Sequence, residues 1–169
     1  MIAIRPATSD DLVAITDLYN ALIPTTTTAW TETLQTYEER VAWFDDRQVA
    51  DDVVLVAVDG SEVIGFAAWG EFRDNRLWPG YRFTVEHTIH VAERHHGRGV
   101  GRALLEALLA AARAAGLHVM VGAVDSENEQ SLGFHRALGF VEVARMPETG
   151  RKFDRWLDLV LLQRRVDLS

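Results

Sequence analysis

The stretch HHGRGVGRALLEALLAAARAAG, residues 95–116, constrains this chain more than any other part of it. Gly97, Gly99 and Gly101 alternate straight into an alanine- and leucine-rich helix that Gly116 is placed to close. Glycine admits positive φ and lets a ligand approach the main chain closely. A helix N-terminus offers unpaired N–H groups and partial positive charge, so glycines at its mouth make a seat for an anion, most often a phosphate. Arg98 and Arg102 flank the same amides and add charge. A glycine turn that merely joins a strand to a helix is the plainer alternative, and those two arginines weigh against it.

The rest of the chain supplies elements to hold that seat. MIAIRPAT alternates apolar and polar residues as a strand. Ser9 then caps a helix whose Leu12, Ile15, Leu18, Tyr19 and Leu22 recur at helical spacing. PTTTTAWTETLQT has no period and reads as a loop. TYEERVAWFDDR reads as a second helix with Val41, Trp43 and Phe44 inward. Two apolar runs joined at Asp59-Gly60 form a hairpin. YRFTVEHTIHV is a third long strand leading into the glycine loop. LHVMVGAV is another strand, NEQSLGFHRALGF a short helix stopped by Gly139, and FVEVARMPE and RWLDLVLLQRR two closing strands. The expected fold class is α/β, a mixed central sheet of about seven strands flanked by about four helices.

With 169 residues, 48% of them hydrophobic, the chain can build a real core and reads as one domain over residues 1–169. Its net charge of −8 argues against a nucleic-acid partner. Cysteine is absent, which excludes disulfides, thiolate zinc sites and a cysteine nucleophile, and suits a reducing cytoplasm. MIAIRPATSDDL lacks a signal-peptide pattern, and no apolar run approaches a membrane span. The expectation is a cytoplasmic protein with no membrane partner. The histidines do not suggest a metal: His87 and His90 point to opposite faces of a strand, His95 and His96 are neighbours, and HExxH is missing.

Among phosphate seats, a P-loop would need Gly-Lys followed by Ser or Thr, and a dinucleotide fingerprint would need a third glycine where Leu104 stands. What remains is a mid-chain strand, an H-x-x-G-x-G loop and a helix. This resembles the pyrophosphate loop of the GNAT superfamily of N-acetyltransferases, with His96 where that family usually has Gln or Arg. IRPAT, the Asn128–Ser131–His135 segment leading to LGF, GYRFTVEHTIHV and GRKFDRWLDLVLLQ extend the likeness over residues 1–165. The last two are similar to the phosphinothricin and methionine sulfone/sulfoximine N-acetyltransferases. The likeness implies acetyl-CoA as co-substrate and an amino acid or amino-acid-like toxin as the amine, with acetylation of a peptide N-terminus and a non-catalytic acyl-CoA-binding module as the rivals.

Acetyl transfer needs a neutral amine, a stabilised oxyanion and a departing thiolate. In an extended strand Glu86, Thr88 and His90 share one face and Val85, His87, Ile89 and Val91 the other. Glu86 is the candidate base, and the resemblance gives a glutamate of the TVEH stretch that role. His135 is either the acid for the thiolate or a packing residue, standing where many family members carry tyrosine. The resemblance assigns coenzyme A to Ile89, His90, Val91, His96, Gly97, Arg98, Gly99, Val100, Gly101, Arg102, Asn128 and Ser131. The main-chain groups of Ile89 and Val91 would pair with the pantetheine amides. Arg73 and Arg82 are candidate carboxylate forks, with Thr88 and Trp30 on the substrate side. The apolar run in the last strand suggests a homodimer or, almost equally, a central strand between the chain's own helices.

Overall fold

The computed structural model describes residues 2–166. β1 (Ile2–Pro6) precedes α1 (Leu12–Leu22) and α2 (Tyr37–Val49). The hairpin β2 (Val54–Asp59) and β3 (Glu62–Glu71) follows, then β4 (Thr84–Val91), α3 (Val100–Ala114), β5 (Val119–Asp125) and α4 (Glu129–Ala137). The hairpin β6 (Val141–Lys152) and β7 (Arg155–Arg165) closes the described chain. All seven strands join one sheet in the order β1-β2-β3-β4-β5-β7-β6. Only β4 and β5 run parallel; the other pairings are antiparallel. The α/β class, the mixed sheet and the element order agree with the sequence reading.

Local chemistry explains where the elements begin and end. The first cap falls on Thr8, not Ser9. Arg5 grips Asp11 through two bonds of 2.7 and 2.8 Å, and Asp11 accepts the Thr8 N–H at 2.8 Å, so a single 3-10 turn leads into α1. Thr36 and Glu39 form a reciprocal capping box at the start of α2. α3 ends as a Schellman motif, with Gly116 at φ 72° and Leu117 N–H on Ala112 O. The β2–β3 turn is centred one residue later than expected, on Gly60 and Ser61, since Asp59 still pairs with Glu62. Tyr81 belongs to a 3-10 turn, so β4 starts only at Thr84.

Two apolar layers sandwich the sheet. Leu104, Leu105 and Leu108 of α3 pack with Ala67, Trp69, Met120 and Leu162 on one face. Leu12 and Ile15 of α1 and Phe44 of α2 pack with Val54, Val56, Phe66 and Ala68 on the other. β7 is internal, between β5 and β6. Its Val160 and Leu162 join the α3 layer. Leu159 and Leu161 are half-buried on the opposite face, where Leu159 pairs with Met146, 44% exposed.

Candidate active site

The parallel β4–β5 pairing covers only Thr84↔Val119, Val85↔Met120 and Glu86↔Val121. Beyond Glu86, β4 continues against β3 as far as Val91, while β5 continues against β7 as far as Asp125. The two strands part, and a gap opens in the middle of the sheet. Ala92 N–H bonds Ile64 O at 2.9 Å, toward β3. Alternation along an antiparallel strand therefore turns the main-chain groups of Ile89 and Val91 the other way, into the gap.

Two histidine rings sit at the point of parting. His87 Nε2 lies 3.2 Å from His135 Nε2, above Gly122, where a Cβ would come within 3.0 Å of both. His135 Nδ1 is 2.7 Å from the Ser131 carbonyl, which can only accept, so Nδ1 carries the proton. His135 Nε2 is then the acceptor and His87 the donor, leaving His87 Nδ1 buried without a partner. Burial pushes His87 down to about 3 and lowers His135 as well. Both rings are neutral near pH 7. His135 is 3% exposed with both nitrogens engaged, which is the geometry of a packing residue rather than of a free proton donor.

At the mouth of the gap, Gly97 and Gly99 take φ of 73° and 80°, and Gly99 caps α3. A Cβ at either would meet open space, so backbone angle, not crowding, demands glycine there. Gly101 is different: its φ is not left-handed and its Cβ would meet the Phe134 ring at an ordinary 3.4 Å, so neither angle nor space demands glycine there. His96 Nε2 donates to Val91 O at 2.9 Å and ties the loop back to β4. Arg98 is engaged by His95 Nδ1 at 2.6 Å and Asp59 at 3.3 Å, and Arg102 by Glu106 at 3.1 Å. The groups left facing the mouth are the first N–H groups of α3. At the start of α4, Asn128 Oδ1 accepts the Ser131 N–H at 3.0 Å, an ordinary N-cap.

Glu86 occupies the other face of β4, as its strand position requires. It lines a recess of about 220 Å³ with Arg47, Trp69, Gly70, Glu71 and Thr88. Solvent still reaches the carboxyl, yet the walls strip enough water from it to raise its pKa. Gly70 is directly opposite Glu86, and Arg47 Nη2 lies 3.2 Å from where a Gly70 Cβ would be. Sequence reasoning missed Arg47. Its signal was the spacing of Arg40, Trp43, Phe44 and Arg47 along one stripe of α2, with both guanidiniums stacked on Trp43 at 4.6 and 4.2 Å.

The remaining expected residues scatter. The His90 side chain turns from the gap to the α1 face, 5.6 Å from the Tyr19 ring, and bonds Thr88 Oγ1 at 3.0 Å. Its main chain faces β3, so it is not grouped with Ile89 and Val91. Arg73 is exposed and lies 5.6 Å from the Tyr81 ring. Arg82, also exposed, donates to Pro79 O at 2.9 Å. Neither lines the recess. Trp30 is half-buried against Gly150. Among the described residues no three His, Cys, Asp or Glu side chains gather as a metal site, and no helix is long and apolar enough to cross a membrane.

Known proteins are similar to this chain over nearly its whole length. The L-methionine sulfoximine/L-methionine sulfone acetyltransferase of Pseudomonas aeruginosa is 45% identical over 166 residues, covering 98% of this chain and 95% of its own. The phosphinothricin N-acetyltransferase of Alcaligenes faecalis is 35% identical, covering 95% and 81%. A Salmonella typhimurium acetyltransferase solved with its cofactor acetyl-CoA superposes with a TM-score of 0.93 at 39% identity, covering 99% and 95%. Residues 15–140 match the profile of the Acetyltransferase (GNAT) family, a span that takes in the parted strands, the glycine mouth and the α4 cap together. By fold, by loop and by sequence, this chain belongs to the GNAT acetyltransferases.

Proposed function

We propose that this chain transfers the acetyl group of acetyl-CoA to the amino group of an amino acid or amino-acid-like toxin, of the methionine sulfone, methionine sulfoximine or phosphinothricin kind. One observation carries the reading: Glu86 is the last β4 residue paired with β5, so a carboxylate stands where the gap begins. The gap fits a pantetheine arm. Ile89 and Val91 would pair with it as a strand pairs with a sheet edge, and the open amide mouth at Gly97–Arg102 would hold the pyrophosphate. Acetyl-CoA supplies the acyl group as a thioester. Asn128 and Ser131, at the first turn of α4, flank the arm.

Glu86 takes the proton from the attacking amine, directly or through water, in a ternary complex; the cysteine-free chain has no thiol for an acyl-enzyme. His135 packs behind the gap and orients α4. Thr88 borders the amine from within the recess; Arg73 and Arg82, exposed outside it, would swing in to receive the substrate carboxylate, and Trp30 stands farther out on the substrate side. The chain works in the cytoplasm as a homodimer, through the half-open face that carries Met146, Leu159 and Leu161. The test is thiol release from acetyl-CoA across methionine sulfone, phosphinothricin, common amino acids and short peptides. Turnover is expected with the first two. Turnover with peptides alone would replace this reading by N-terminal acetylation, and cofactor binding without turnover of any amine would replace it by a binding module.

A further inference from the structure

The Glu86 recess is lined by one cationic side chain, and the chemistry above leaves it unused. Arg47 reaches the recess from α2, its guanidinium stacked 4.2 Å from the centre of the Trp43 ring. Among the described residues its one hydrogen bond is long, from Nη1 to the Trp43 carbonyl at 3.3 Å. Nε is buried with no partner, and no carboxylate of the described residues closes an ion pair with the group. The Asp52 carboxylate lies near the same corner and, with Asp46, offsets part of the burial that lowers the Arg47 pKa. Glu71, the other charged group of the lining besides Glu86, accepts the Asn75 N–H at 3.2 Å. A guanidinium that merely propped α2 on the sheet would spend its donors on carbonyls or a carboxylate. This one keeps Nη2 for the recess.

The backbone between Arg47 and Glu86 is kept bare. Gly70 pairs with Glu86 across the strands, and a Cβ there would come 3.2 Å from Arg47 Nη2. Facing Cβ positions of such a pair stand about 5 Å apart. The glycine thus leaves about one short side chain's length between the Glu86 carboxyl and the Arg47 fork. An amino acid whose amine is held at Glu86 can extend its side chain to Arg47, and a fork of N–H donors selects oxygen there. A sulfone, a sulfoximine and a methyl phosphinate each end in a tetrahedral centre that carries such acceptors. The thioether of methionine has the carbon skeleton of the sulfone but only a weak sulfur acceptor. We propose that Arg47 is the specificity residue of the amine site: it binds the oxygens of an oxidised sulfur or phosphinate group, and so selects such amino acids over their unoxidised counterparts. This role rests on the amino-acid acetyltransferase reading.

Methionine and methionine sulfone differ only in the sulfone oxygens, so the ratio of their kcat/KM values isolates this contact. Steady-state kinetics with both, and with phosphinothricin, would be measured for the wild type, Arg47→Met, Arg47→Lys and Gly70→Ala. The wild type should favour the sulfone about 10- to 100-fold, the worth of a charge-assisted hydrogen bond. In Arg47→Met the ratio should fall close to one while the KM for acetyl-CoA stays unchanged. Arg47→Lys keeps the charge without the fork and should recover only part of the preference. Gly70→Ala pushes the guanidinium aside without removing it, so it should lower the ratio even if Arg47→Met fails to fold. A wild-type ratio near one, or an unchanged ratio in both Arg47→Met and Gly70→Ala, would overturn the proposal and leave the acetyltransferase reading standing. So would an equal loss toward both amino acids, which would put Arg47 on the shared α-carboxylate or in the fold. A wild-type protein that acetylates none of the three amines fells the underlying reading, and the role of Arg47 with it.

Discussion

At Glu86 solvent access and desolvation act on one carboxyl. The raised pKa means the base form fills only above the range of an ordinary glutamate. The acid limb of kcat/KM against pH should therefore lie above that range. Glu86→Gln should abolish the limb and lower kcat by about 10²–10⁴, while calorimetry finds acetyl-CoA affinity intact. The same limb persisting in the variant would assign the titration to another group. His87 works in the opposite sense. Its folded pKa of about 3 lies below the ordinary 6.5, so between those values the unfolded chain binds the extra proton. Stability is then full above pH 6.5 and falls as pH drops, at about 1.4 kcal/mol per pH unit for each such histidine. His90, lowered to about 4, adds to the slope. Urea unfolding between pH 6.5 and 5 should show this decline, and His87→Gln should make it shallower; an unchanged slope would mean the ring is not held neutral.

Among elements, the glycine mouth depends on two residues rather than three. Gly99→Val should weaken acetyl-CoA binding strongly, because a β-branched residue resists φ near 80° and projects into the space the ligand enters. Gly101→Ala should be far milder, since its Cβ meets Phe134 at ordinary contact distance. Calorimetric affinities for acetyl-CoA would check both, and equal losses would contradict the distinction. The alternating glycines were visible in the sequence, but which needed positive φ was not, because that depends on where α3 begins. Strand alternation likewise separated His87 from His90 and put Glu86 on its correct face. Arg47 escaped because it acts across the fold, covering Gly70 from another element. For His135 the sequence left acid and packing open, because the ring it meets, His87, is 48 residues distant. Periodicity reports which face a residue takes, and it is silent about what comes to meet it.

For the whole molecule, the half-open face along β6 and β7 matters most. Val141, Val143 and Met146 are 58%, 49% and 44% exposed, next to the half-buried Leu159 and Leu161. A dimer through this face should bury at least about 1,600 Å² in total and persist at micromolar protein in sedimentation equilibrium. Met146→Glu should shift it to monomer; a wild-type monomer with full activity would leave the dimer without support. The parting of β4 from β5 has a wider consequence. With acetyl-CoA seated in that gap as proposed, a sheet open at its centre is completed by its ligand, and the acetyl donor becomes part of the folded state's free energy. At 100 times its dissociation constant it adds about 2.7 kcal/mol. As free acetyl-CoA falls below its dissociation constant that contribution is lost, and the chain then opens more often to proteases. The lifetime of the enzyme in a cell should accordingly follow the supply of acetyl-CoA, so that a starved cell loses the protein as well as its reaction.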